Sequence, residues 1–189
     1  MFDTDVFVAD MIAALAEPQA VLAAKELVVA AVSDGVGVIA ALGEPAVAGI
    51  TPLYRSDTLT VLNVVWAPHM SLYPHDHNLW ACIGIYGGRE DNAFFRRGPG
   101  GVGLVDSGNR TIGDAEALLL GDDVIHAIHN PEGRFTGALH VYGGDFFDTP
   151  RSEWEAATAT AVEVPRDLRK TARVFAEANA AWAAASSPA

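Results

Sequence analysis

Every histidine of the chain falls between His69 and His140. Two of them stand two apart in Pro74-His75-Asp76-His77, and a third, His126, follows the turn-like run Gly121-Asp122-Asp123, with His129 and Asn130 just beyond it. Neutral imidazole is the commonest side-chain metal ligand, because its bare nitrogen is basic enough to bind and its ring small enough to cluster. Residues i and i+2 of a strand share a face. His75 and His77 are therefore expected to project together, with Asp76 turned the opposite way, and His126 to complete a mononuclear metal centre. His69, in the turn Pro68-His69-Met70, is expected to be exposed, and His129 to sit on a loop or behind the ligands.

Three zones must position these residues within one domain spanning 1–189. In the first, 5–42, Val8, Met11, Ile12, Leu15 and Ala16 recur at helical spacing, Pro18 marks a break, and a second helix runs from about Gln19 to Val32. Ser33-Asp34-Gly35 reads as a stop signal. From 43 to 150, β-branched and aromatic bursts (58–66, 79–86, 93–97, 117–120 and 137–142) alternate with turn residues such as Gly87-Gly88, Ser107-Gly108-Asn109 and Asn130-Pro131. Many short strands at near-regular spacing predict a β-sandwich or barrel. A last helix is predicted over 165–185 from the spacing of Leu168, Ala172, Phe175, Ala178 and Trp182, with the segment 186–189 frayed.

Composition narrows the partners. The formal net charge is −12, and no Lys/Arg cluster offsets it, which argues against nucleic acid. Only two lysines, Lys25 and Lys170, argue against docking on anionic membranes. A single cysteine, Cys82, excludes an intramolecular disulfide and suits a reducing compartment. The start Met1-Phe2-Asp3-Thr4-Asp5 lacks the positive region of a secretory signal, so a cytoplasmic location is expected, as a monomer or homodimer.

The histidine pattern resembles the two motifs of the cupin superfamily. His75, His77 and Gly88 match the first motif, and Gly121, His126 and Asn130 the second. Leu119 stands where a proline is usual, and the spacing from Gly121 to His126 is longer by two residues than usual. The first motif's glutamate is missing, since Ala81 and Cys82 occupy its place, which leaves three neutral imidazoles as the donor set. In this the chain is similar, over about residues 50–147, to the thiol dioxygenase branch, cysteine dioxygenase and 3-mercaptopropionate dioxygenase. The resemblance implies a double-stranded β-helix, a jelly-roll-like barrel, with flanking N- and C-terminal helices. It implies Fe(II), with Zn, Mn and Ni as alternatives, held by His75, His77 and His126. The partners it implies are O2 and a small carboxylate-bearing thiol, oxidised to its sulfinate. Arg55 would then pair with the substrate carboxylate, Tyr142 would hydrogen-bond bound oxygen or substrate, His140 would orient Tyr142, and Cys82 would take part through a thioether crosslink to Tyr142. Ala138 stands where that family's relay has a serine. A non-thiol dioxygenase, an isomerase, a three-His zinc hydrolase and a non-catalytic ligand-binding barrel are the competing expectations.

Overall fold

The computed structural model describes residues 1–186; the segment 187–189, predicted to be frayed, lies outside the described residues. Two antiparallel sheets face each other. One has the order β1-β2-β9-β4-β7 and the other β11-β10-β3-β8-β5-β6. The strands are β1 (Gly49–Arg55), β2 (Thr60–Trp66), β3 (Ser71–His75), β4 (Ala81–Gly87), β5 (Arg89–Arg97), β6 (Leu104–Gly113), β7 (Ala117–Leu120), β8 (Ile125–His129), β9 (Thr136–Tyr142), β10 (Ser152–Trp154) and β11 (Glu163–Pro165). Strands β2 to β9 switch sheets at every step except the β5–β6 hairpin, giving β2-β9-β4-β7 opposite β3-β8-β5-β6, which is jelly-roll, or double-stranded β-helix, connectivity. The fold predicted from the sequence is the fold observed.

The strands at the centre are those whose sequence is continuously apolar. β9 is buried along its whole length because β2 and β4 cover its two edges and a layer packs on each face. Its inward side chains, Ala138 and Tyr142, join Leu62, Ile83, Ile85, Trp66 and Leu72 between the sheets. Its outward ones, Leu139 and Val141, pack with Val61, Cys82 and Tyr86 against three helices. These are α1 (Thr4–Ala14), α2 (Ala20–Ser33) and α3 (Gly35–Leu42). The helix α4 (Leu168–Ser186) lies at the other end of the chain and inserts Phe175 into the core between the sheets, stacked on Trp66 at 5.2 Å.

Two local expectations are corrected. Ser33-Asp34-Gly35 does not end the helical zone: Asp34 caps a new helix, its Oδ1 accepting the Gly37 N–H at 3.0 Å, so the stop is also a start. Ser107-Gly108-Asn109 is not a turn between strands but lies inside β6. The β5–β6 ladder skips a residue there, from Phe94↔Gly108 to Phe95↔Asp106, and Gly108 takes φ +115°, a bulge that tolerates polar turn residues within an exposed strand. Among the described residues no helix is long and apolar enough to cross a membrane.

Helix α2 approaches β4 most closely at Gly84, where an added Cβ would lie 2.4 Å from Val28 Cγ1 and 2.8 Å from Val32 Cγ1. Gly84→Ala should therefore lower stability by about 1–3 kcal/mol in urea unfolding. The site described next faces the other side of the sheet, so its metal affinity should stay unchanged.

Candidate metal centre

Antiparallel pairing of β3 and β8 sets His75 directly opposite His126. β3 ends at His75, so His77 is delivered from the segment just past the strand rather than from the strand itself. That segment is clamped from outside. Asp76 turns away from the histidines, as the sequence predicts, yet it is buried: Oδ1 accepts the Ser152 N–H at 2.6 Å and Oδ2 accepts Arg97 Nη2 at 3.0 Å. The result is three buried imidazoles whose ligand atoms lie within 4.8 Å of one another, and no carboxylate or thiolate joins them among the described residues. His77 Nε2 and His126 Nε2 are 3.0 Å apart, a separation compatible with two nitrogens each about 2.1 Å from one ion.

The hydrogen bonds behind the rings fix which nitrogen is bare. His75 Nδ1 lies 3.0 Å from the Tyr73 carbonyl oxygen, which only accepts, so Nδ1 carries the proton and Nε2 the free lone pair. His126 Nδ1 lies 2.8 Å from Asn92 Oδ1 and is protonated for the same reason. The amide of Asn92 is itself oriented, because its Nδ2 donates to Glu90 Oε1 at 2.9 Å while Trp66 Nε1 donates to Oε2 at 2.8 Å. Burial pushes the Glu90 carboxyl up to about 7, and the two donors hold it from rising further. Burial also drives His75, His77 and His126 below the ordinary histidine value, to about 3 for His126, with the Arg166 guanidinium lowering all three further. Neutral imidazoles with their lone pairs convergent are the donor set a divalent transition metal takes. These residues fit such an ion.

A cavity of about 20 Å³ adjoins the histidines, lined by His75, His77, His140, Tyr142, Phe146 and Arg166 among apolar side chains. It has room for roughly one water. On the far side of Ile50 and Phe146, a mainly apolar groove of about 370 Å³ runs between β1 and α4. His140 and Tyr142, two apart on β9, share the inner face, with His140 Nδ1 3.0 Å from the Tyr142 hydroxyl. Burial keeps His140 at about 3 and pushes the Tyr142 phenol up, so both are neutral. His140 Nε2 and His77 Nδ1 are buried without a hydrogen-bond partner among the described residues.

Two predicted site residues lie elsewhere. Cys82 pairs with Val141, one residue before Tyr142, and therefore points to the opposite face of the sheet, into the helix-covered layer with Val28 and Val32. A crosslink to Tyr142 or a direct part in the chemistry is excluded by that alternation, and burial pushes its thiol up to about 12. Arg55 does not line the cavity. At the end of β1 its guanidinium is taken up by Asp145, with Nε to Oδ1 at 2.9 Å and Nη2 to Oδ2 at 2.8 Å, and by Asp148 at 2.9 Å. It is a surface clamp on the 145–148 turn rather than a free anchor for substrate.

The remaining histidines and Asn130 have other roles. His69 is exposed at φ +58° in its turn. His129 is part of β8 rather than of a loop; three residues from His126, it faces outward and bonds Ser71 Oγ at 2.9 Å. Asn130 is buried and braces the loop, its Nδ2 donating to Ala67 and Arg134 carbonyls at 2.9 Å each. The sequence analysis missed Glu90, Asn92, Arg151 and Arg166. The first two carry a signal, polar residues two apart inside a strand; the arginines lie beyond the barrel motifs and carry none.

No family model matches the chain, and no curated protein sequence matches it. Similar solved structures include a cupin family protein with a double-stranded β-helix fold from Methanocaldococcus jannaschii (11% identity, TM-score 0.43, 52% of this chain and 81% of that one). Another is BH2720 from Bacillus halodurans (16%, 0.46, 61% and 79%). A third is the DMSP lyase DddQ from Ruegeria pomeroyi (20%, 0.40, 51% and 43%). These partial likenesses assign no reaction to the chain.

Asn92→Ala should weaken binding of a divalent transition metal by about 10–100-fold, measured by competition with a chelator, while Ser71→Ala, which touches only the outward His129, should leave it unchanged. Acid should unfold the metal-free protein steeply. His75, His77, His126 and His140 all titrate below 6.5 when folded, so their contribution is intact above about pH 6.5 and lost as pH falls toward about 3. Each refused proton costs about 1.4 kcal/mol per pH unit. Glu90, raised from 4.5 to about 7, keeps a proton in the folded state and offsets one of the four between those values. Urea midpoints should fall from pH 7 to 5, and less steeply in His140→Gln; a flat profile would refute the neutral, buried imidazoles.

Proposed function

We propose that this chain is a metal-dependent dioxygenase that oxidises a small carboxylate-bearing thiol to its sulfinate, with iron(II) as the resident metal. The observation that carries this is a donor set of three neutral imidazoles with no protein anion beside them. The nearby carboxylates are engaged elsewhere, Asp76 by Arg97 and Ser152 and Glu90 by Asn92 and Trp66. A centre of this kind leaves its negative charge to be supplied by a bound ligand, and a thiolate meets that need while presenting the atom to be oxidised. When bound, iron(II) would supply the redox chemistry that adds both atoms of O2 to the thiolate sulfur.

The protein's own part is orientation, proton placement and exclusion of water. His75 and His126 are locked with Nδ1 protonated, so their Nε2 atoms face inward without a competing proton. The His140–Tyr142 pair holds two exchangeable protons and one mutual hydrogen bond. Whichever nitrogen of His140 is protonated, one N–H or O–H is left over to donate into the cavity. Phe146, Leu62, Val64 and Ile128 keep the surroundings apolar, which strengthens each of these polar contacts. A substrate of several heavy atoms exceeds the space for one water. Its entry therefore moves a wall, and Ile50 and Phe146 are the walls shared with the groove under α4.

Oxygen consumption by the anaerobically iron(II)-loaded protein tests this with cysteine, 3-mercaptopropionate, cysteamine and a non-thiol acid. The expected result is one O2 consumed and one sulfinate formed per carboxylate-bearing thiol, with activity lost in His77→Ala. Tyr142→Phe should lower kcat by about 10²-fold with little change in metal content. Stoichiometric iron with no uptake on any thiol would overturn the assignment.

A further inference from the structure

The orientation of the Asn92 amide is decided at its far end. Glu90 and Asn92, two apart on β5, are both buried and share a face of the strand. Asn92 Oδ1 accepts His126 Nδ1–H at 2.8 Å, and Asn92 Nδ2 donates to Glu90 Oε1 at 2.9 Å. Glu90 Oε2 accepts Trp66 Nε1–H at 2.8 Å from the opposite sheet. An asparagine amide keeps nearly the same shape when turned end for end, and either end can meet an imidazole nitrogen. Its oxygen suits a protonated Nδ1, and its NH2 suits a bare one. Asn92 alone therefore leaves the tautomer of His126 open. A carboxylate removes the ambiguity because it only accepts. It takes the amide NH2 and leaves the amide oxygen for His126, which then carries its proton on Nδ1 and its lone pair on Nε2.

We propose that Glu90 is a positioning residue of the metal centre: its acceptor-only carboxylate, acting through Asn92, selects the His126 tautomer that binds metal. Trp66 completes the lock. An indole N–H can only donate, so a glutamine at position 90 would have one amide oxygen for two donors, Trp66 and Asn92. That oxygen serves Trp66, which has no other way to be satisfied. The glutamine NH2 then faces Asn92, and Asn92 flips to accept it. The flipped Asn92 NH2 donates to His126 Nδ1, which moves the His126 proton to Nε2, the nitrogen 3.0 Å from His77 Nε2. Every buried group of the relay stays paired in this inverted network, whereas the original orientation would leave two donors facing each other at Trp66. His75 is immune to such inversion, because its Nδ1 faces a backbone carbonyl that cannot turn. The inference rests on the three histidines forming a metal centre and is independent of the oxygenase reaction.

The test reads the histidine ring nitrogens of the metal-free protein by NMR at pH 8, above the value of about 7 to which burial raises Glu90. The His126 signals are assigned by their loss in His126→Gln. The parent should show Nδ1 protonated and Nε2 bare. Glu90→Gln should fold, since its inverted network leaves no group of the relay unpaired, and should show the reverse tautomer. Its Zn(II) binding, measured in competition with a chelator, should weaken by about 10-fold or more. His75 should keep its tautomer throughout, and Trp66→Phe should leave His126 as in the parent. Trp66→Phe combined with Glu90→Gln should restore the parent tautomer and most of the lost zinc affinity, because the glutamine oxygen is then free for Asn92. A merely structural role for Glu90 predicts the opposite order, with the double variant the more damaged. A Glu90→Gln protein that keeps the parent tautomer, does not fold, or is not rescued by Trp66→Phe would overturn the proposal. Iron, thiol and O2 are all absent, so failure here is distinct from failure of the oxygenase assay.

Discussion

Three imidazoles buried at one point, all uncharged and all aimed inward, set the terms for everything around them. Burying a polar ring without a partner is unfavourable, and each ring here can hand only one nitrogen to the protein if the other is to serve a metal. The barrel solves this by supplying one acceptor behind two of the rings. A backbone carbonyl of β3 stands behind His75, and the Asn92 amide of β5 stands behind His126. The strand order β3-β8-β5 is what makes those two acceptors adjacent, with Ala93↔Ala127 and Phe94↔His126 fixing the register. A slip of one residue would turn His126 outward.

The C-terminal segment is part of the same device. Phe175 of α4 stacks on Trp66, Trp66 donates to Glu90, Glu90 receives Asn92, and Asn92 orients His126. On the other side, β10 pairs with β3 and its Ser152 N–H anchors Asp76 between the two ligands His75 and His77. Arg97 closes the clamp by spanning Asp76 and Glu163 of β11. The same hairpin brings Arg151 and Arg166 to the edge of the cavity, so the elements added outside the jelly roll steady the ligands and supply positive charge.

What was legible in the sequence follows from which interactions are local. β2, β4 and β9 announced themselves because strands buried on both faces need nearly unbroken runs of apolar residues, β7 because its short run is apolar throughout, and the three histidines because few other patterns bring imidazoles together. β1 was missed: it is an edge strand carrying Pro52, and β6 is exposed and bulged, so both read as loop. Cys82 was misplaced by a property of strands that spacing does reveal. Its odd offset from Ala81, which pairs with Tyr142, already put it on the other face, but only once the β4–β9 register was known. Arg55 read as an anchor because an arginine is an anchor or a surface clamp according to which carboxylates lie within reach, here Asp145 and Asp148, and that is set by tertiary distance alone.

The central claim is that His75, His77 and His126 together form a metal centre whose charge is completed by a ligand rather than by the protein. X-ray absorption on the iron(II)-loaded protein, before and after adding 3-mercaptopropionate, addresses it most directly. The expected spectrum before addition shows three imidazole nitrogens with the remaining scatterers from water, and a sulfur scatterer appears on adding the thiol. Fewer than three imidazoles, or a protein carboxylate or thiolate in the coordination shell, would contradict the account.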